Sequence, residues 1–158
     1  FLPNRINIFD PYVDHSVINK LAKSNKVTEI VNADFETLIK DSDIISIHTP
    51  LTNETRDLFG KNEFSKMKKN SIIINTSRGG IVNEKELYSA LKNRDIRGAG
   101  LDVFIDEPYK GELIELDNIL LTPHIASSTS EARASLELDC VNTIISYFQK
   151  KKLNNRII

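Results

Sequence analysis

Several short apolar runs in this sequence end in groups able to hold, charge or protonate a small molecule. Asp10-Pro11 follows Ile6–Phe9, and His48-Thr49-Pro50 follows Ile44–Ile47. Asn75-Thr76-Ser77-Arg78-Gly79-Gly80 follows Ile72–Ile74. Asp102 follows Gly98-Ala99-Gly100-Leu101, with Glu107-Pro108 shortly beyond, and Thr122-Pro123-His124 follows Ile119–Leu121. A carboxylate at a strand end, as Asp10 would be, can accept both hydroxyls of an adenosine ribose and would repel a 2′-phosphate, favouring NAD over NADP. It can equally be a turn former before Pro11. The planar fork of Arg78 suits bidentate contact with a carboxylate, although a surface arginine in a glycine turn reads the same way. Histidine is the side chain best suited to giving or taking a proton near neutrality, so His124 could pass one, with Glu107 a candidate to hold its ring; a structural histidine is the other reading. His48 has the same two readings, with Thr49-Pro50 enough to explain its turn. His15 lies on an expected surface helix and receives no role.

These groups matter only if the chain brings them to one edge. The apolar runs are short, rich in β-branched residues and nearly continuous in apolar character; a weaker one covers Val27–Val31, and another extends from Ala99 to Phe104. Amphipathic segments separate them. Asp14–Lys23 carries Val17, Ile18 and Leu21 on one stripe, and Asp34 caps a turn holding Phe35, Leu38 and Ile39. Asn83 with Glu86, and Ser128 with Glu131, have capping-box spacing. The second opens the longest helix, running to about Lys150, whose broad apolar face includes Ala134, Leu138, Val141, Ile145 and Phe148. Alternation of this kind predicts a doubly wound α/β domain with a mainly parallel sheet. In such a sheet ligands bind beyond the carboxyl ends of the strands, where all the groups above would gather.

Composition narrows the function. The chain has 158 residues, with 21 Lys+Arg against 22 Asp+Glu and a net charge of -1. No basic excess for a nucleic-acid partner is present, and Lys66–Lys69 and Lys150–Lys152 read as solvated helix ends. A single cysteine, Cys140, leaves no intrachain disulfide or cysteine-rich zinc site and suits a reducing, cytoplasmic setting. The three histidines lack metal-type pairing, so no metal is expected. No apolar run reaches the roughly 20 residues of a membrane span.

Four stretches, in order, resemble the D-isomer-specific 2-hydroxyacid dehydrogenases. They are His48-Thr49-Pro50-Leu51-Thr52, Asn75 to Val82, Gly98 to Pro108, and Thr122-Pro123-His124-Ile125-Ala126-Ser127. The resemblance implies a Rossmann-like NAD-binding domain over residues 1–127. It implies that the long helix and tail of residues 128–158 return toward a substrate domain. It implies that Arg78 holds the substrate carboxylate, that His124 is the acid–base and that Glu107 pairs with it. Cofactor contacts would come from Asp10 on the ribose, Thr49 and Thr76 near the dinucleotide, and Asp102 and His124 at the nicotinamide end. NAD would be the cofactor, a small 2-oxo or 2-hydroxy acid the substrate, and a homodimer the working form.

One departure stands out. The family's glycine-rich phosphate loop should precede the ribose carboxylate by roughly 20 residues, whereas no glycine precedes Asp10 in this sequence. The expectation is a Rossmann sheet incomplete at its N-terminus, lacking the first strand and glycine loop, in a fragment inactive alone. Two other readings use the same fold: a non-catalytic, NAD-responsive corepressor-like protein, and a dimerisation module.

Overall fold

The computed structural model describes residues 3–24 and 28–153. Val27 and the tail from 154 to 158 lie outside the described residues. The order of elements is β1 (Arg5–Ile8), α1 (His15–Ser24), β2 (Glu29–Asn32), α2 (Phe35–Asp41), β3 (Ile44–Ile47), α3 (Lys61–Lys66), β4 (Ile72–Asn75), α4 (Glu84–Lys92), β5 (Gly98–Leu101), a short 3-10 helix (Glu112–Glu115), β6 (Ile119–Leu121) and α5 (Ser130–Phe148). The chain divides into two compact units, one ending at Pro123 and the other beginning at His124.

Every strand pairing among the described residues is parallel, and the architecture is the Rossmann-like α/β one expected. The strands form two sheets, β1-β2 and β3-β4-β5-β6. These are the pairings that a 3-2-1-4-5-6 order has on the two flanks of its first strand, with β6 adding one strand to the far side. β1 and β3 are consequently edge strands, and Ile6 and Ile44 are exposed along them. The nearly continuous apolar runs therefore do not mean equal burial on both faces. β3 alternates, with Ile45 and Ile47 buried between exposed Ile44 and Ser46, and Leu120 of β6 is 68% exposed.

The core sits between the four-stranded sheet and its helices. Ile45, Ile47, Ile73, Ala99 and Leu101 of the sheet join Leu87, Ala90 and Leu91 of α4, Phe64 of α3, and Ile81, Ile96 and Leu113 from the connections. Each fully buried leucine or isoleucine contributes roughly 1.5–3 kcal/mol by leaving water. The first sheet is tied in by aromatic contacts: Phe9 lies 5.4 Å from Phe35, which meets Phe59 edge-on at 5.7 Å.

Helix starts follow local chemistry. The Asp34 carboxylate accepts the Thr37 amide at 2.7 Å and caps α2, as expected. Asn83 caps α4 by accepting the Glu86 amide at 3.1 Å. The reciprocal half of that box does not form, because the Asn83 amide donates to the Phe59 carbonyl instead. α5 is capped by Thr129, one residue later than expected, through the Ala132 amide. Both residues carry the needed hydroxyl, and only backbone geometry chooses between them. α3 is an element that sequence periodicity does not announce: it has 6 residues, with Gly60 at its cap and Phe64 its single buried residue.

Candidate active site

Asp10 stands two residues beyond β1. Its Oδ1 accepts the backbone amides of Tyr12 (2.9 Å) and Val13 (3.2 Å), so it is a turn former, as one reading held. Those bonds also fix the carboxylate on the wall of a cavity of about 520 Å³ lined by residues 9–15 and 32–34. Asp14 and Asp34 share that wall. Hydrogen bonds hold both carboxyls below the usual range, from Ser16 to Asp14 and from the Thr37 backbone to Asp34. A negatively lined cavity with a fixed strand-end carboxylate fits a ribose diol and disfavours a 2′-phosphate.

The second group of residues gathers beyond β4 and β5. Asn75, 1% exposed, ends β4 and organises the loop from Thr76 to Gly80. Its Nδ2 donates to the Arg78 carbonyl at 2.9 Å, and its Oδ1 accepts from the Ser77 amide and hydroxyl at 3.0 and 2.9 Å. The loop is held from its other side by parallel contact between Phe59 and Val82, with the Asp57 amide on the Gly80 carbonyl. Thr76 and Arg78 are exposed on this loop. Arg78 donates from Nη1 to the Ser77 carbonyl at 2.6 Å and makes no ion pair among the described residues. A guanidinium has five donors, so most of the fork faces outward.

Gly79 joins this loop to the next. A Cβ built on it would lie 2.0 Å from the Phe104 carbonyl oxygen and 2.6 Å from the Ile105 nitrogen, so only glycine allows the two backbones to touch. The loop from Val103 to Pro108 is latched there. Glu107 accepts the Phe104 amide at 3.0 Å, and Glu84, at the start of α4, accepts the Ile105 amide at 2.9 Å. Asp102 is buried at 3% exposure and accepts the Thr122 hydroxyl at 2.5 Å, which ties the end of β5 to the end of β6.

Thus Thr76, Arg78, Asp102 and Glu107 come to one edge of the four-stranded sheet. Thr49, half-buried after β3, belongs to the same series of strand ends, and His48 beside it pairs its Nε2 with the Ser46 hydroxyl at 2.9 Å, a structural histidine. His124 opens the second unit and has φ +55°. That left-handed conformation is uncommon for a residue with a side chain and is found often at functional sites. Asn75, Glu84 and the His15–Asn32 pair are site residues that sequence reasoning leaves without a role. Asn75 carries a signal: an Asx residue at a strand end before a glycine-bearing loop commonly bonds the backbone two residues on. Glu84 and the pair act across 21 and 17 residues of chain, which no local pattern reveals.

Residues 6–126 match the family described as "D-isomer specific 2-hydroxyacid dehydrogenase, NAD binding domain". The chain belongs to the D-isomer-specific 2-hydroxyacid dehydrogenases. The matched span is their NAD-binding domain, and NAD is the cofactor that domain takes. A glyoxylate reductase from Thermococcus litoralis is 54% identical over 113 residues, covering 70% of this chain and 34% of that protein. A D-3-phosphoglycerate dehydrogenase from Methanocaldococcus jannaschii is 41% identical over 150 residues, 94% of this chain and 26% of that protein. Among solved structures, D-lactate dehydrogenase with NAD+ from Lactobacillus jensenii superposes with a TM-score of 0.79 at 27% identity, covering 98% of this chain and 48% of that one. The chain thus spans about a quarter to a third of these two curated relatives. No helix among the described residues is long and apolar enough to cross a membrane.

Proposed function

We propose that the protein interconverts a small 2-oxo acid and its D-2-hydroxy acid with NADH and NAD. The observation that carries this reading is the seat of Gly79 on Phe104, which sets the Arg78 loop and the Glu107 loop side by side. Bound NADH supplies the hydride to the substrate's C2. Arg78 receives the substrate carboxylate on its outward donors, exchanging a backbone carbonyl for a charge-assisted pair. His124 gives its proton to the C2 oxygen during reduction and takes it back during oxidation, with Glu107 as the carboxylate partner that orients the imidazole. Arg78 and His124 together stabilise the negative charge that develops on that oxygen. Asp10 takes the ribose hydroxyls, Asp102 and His124 meet the carboxamide end, and Thr49 and Thr76 flank the dinucleotide.

The test is NADH oxidation by the full-length protein with glyoxylate, hydroxypyruvate, pyruvate and longer 2-oxo acids, with chiral analysis of the product. A D-product from at least one substrate is expected; an L-product or no turnover with any would refute the reading. Asp10→Ala should weaken NAD more than NADP, and equal weakening would refute the ribose role. A homodimer and a reducing, cytoplasmic setting complete the proposal. Exposed Leu136, Val141 and Ile144 on α5 support the first, and free, exposed Cys140 supports the second.

A further inference from the structure

One contact on the wall of the Asp10 cavity has no part in the chemistry above. His15, the first residue of α1, meets Asn32, the last residue of β2, through a hydrogen bond between the amide Nδ2 and the ring Nδ1. Both line the same cavity as Asp10. An amide nitrogen only donates, so the ring accepts at Nδ1 and carries its proton on Nε2. That bond uses one N–H of the Asn32 amide and leaves a second N–H and the oxygen. A carboxamide presenting one donor beside one acceptor matches the 6-amino group and adjacent ring nitrogen of adenine.

We propose that His15 and Asn32 form an adenine-reading pair, in which the imidazole locks the Asn32 amide so that its remaining donor and acceptor face the purine's 6-amino edge. The proposal rests on the reading of Asp10 as the ribose contact, because a base attached to that ribose must lie in the cavity Asp10 lines. The cavity, about 520 Å³, is in the size range of small-molecule sites. The charged groups around the pair are carboxylates: Asp14 beside His15 at the start of α1, Asp10 beyond β1, and Asp34 at the start of α2. Among the described residues, no lysine or arginine lines the cavity to compete for the Asn32 oxygen.

The test measures calorimetric affinities of the protein for NAD and for nicotinamide hypoxanthine dinucleotide, whose 6-oxo purine inverts the donor and acceptor. The wild type should favour NAD by about 5- to 150-fold, the range one bidentate base contact supplies. Asn32→Ala should abolish the preference, and His15→Ala, which frees the Asn32 amide to rotate, should reduce it; melting curves of both variants confirm their folding. Equal affinities in the wild type, with Asp10→Ala still weakening NAD, would overturn the pair and leave the ribose reading standing. Tighter binding of the hypoxanthine dinucleotide would overturn the stated amide orientation and the proposal with it. Failure of Asp10→Ala to weaken either dinucleotide would overturn both readings together.

Discussion

Replacing Gly79 by alanine tests the joint that brings the two functional loops together. The added Cβ would lie 2.0 Å from the Phe104 oxygen, 2.1 Å from its carbonyl carbon and 2.6 Å from the Ile105 nitrogen. All three are backbone atoms, so no side chain can swing aside. Reaching even the 3.0 Å that real Cβ contacts respect requires a shift of about 1 Å between the loops (3.0 less 2.0). That shift overpacks a close contact, at roughly 1–3 kcal/mol. It also stretches the bonds from the Phe104 amide to Glu107 and from the Ile105 amide to Glu84, now 3.0 and 2.9 Å. Bonds to charged groups contribute about 1.5–3 kcal/mol each when intact, less where solvent reaches them. A loss of about 2–4 kcal/mol results, or about 5–15 °C in melting temperature for a chain of this size. Gly100→Ala is the matched control: its Cβ would meet only Ile74 Cγ1, at an ordinary 3.9 Å. Urea and thermal unfolding followed by circular dichroism compare the two. A Gly79→Ala variant within about 0.5 kcal/mol of wild type, the range of featureless surface changes, would refute the steric argument.

Two further outcomes rest on neighbouring contacts. Asn75→Ala removes one buried side chain that makes three hydrogen bonds to the Ser77–Arg78 segment, so urea unfolding should show a loss of about 2–4 kcal/mol. Steady-state kinetics on the same variant should show KM for the 2-oxo acid rising, because the arginine loop loses its internal brace. The Asp34 carboxyl is held below its ordinary range chiefly by the Thr37 backbone amide, so its ionised cap stabilises α2 above the ordinary carboxylate pKa and that contribution fades as pH falls through the depressed value. Asp34→Asn keeps an acceptor that does not titrate; thermal melts from about pH 5 down to about pH 3 should show wild type losing stability relative to it.

The parts of this molecule that local sequence can encode were legible in it. β3 and β6 run where their apolar residues begin and end, Asp34 and Asn83 cap the helices they precede, and the polar residues after each run stand at strand ends. The rest depends on distant partners. The capping box at Asn83 is half-formed because Phe59, far away in sequence, takes the amide that Glu86 would otherwise accept. α3 is too short to show a period. Gly79 reads as one of two turn glycines until its contact with Phe104 separates them: Gly80 takes φ +80°, whereas Gly79 admits a backbone neighbour. The burial of one sheet face against the exposure of Ile44 and Leu120 on the other was hidden for the same reason, since a run of isoleucines looks alike on both sides.

The most direct measurement is turnover of a 2-oxo acid with NADH by wild type and by His124→Asn. Asparagine is the replacement best able to keep the left-handed backbone at this position, so the comparison isolates the imidazole. A positioned acid–base contributes about 10²–10⁴-fold. A fall in kcat of that size is expected; turnover within a few-fold of wild type would contradict the acid–base role.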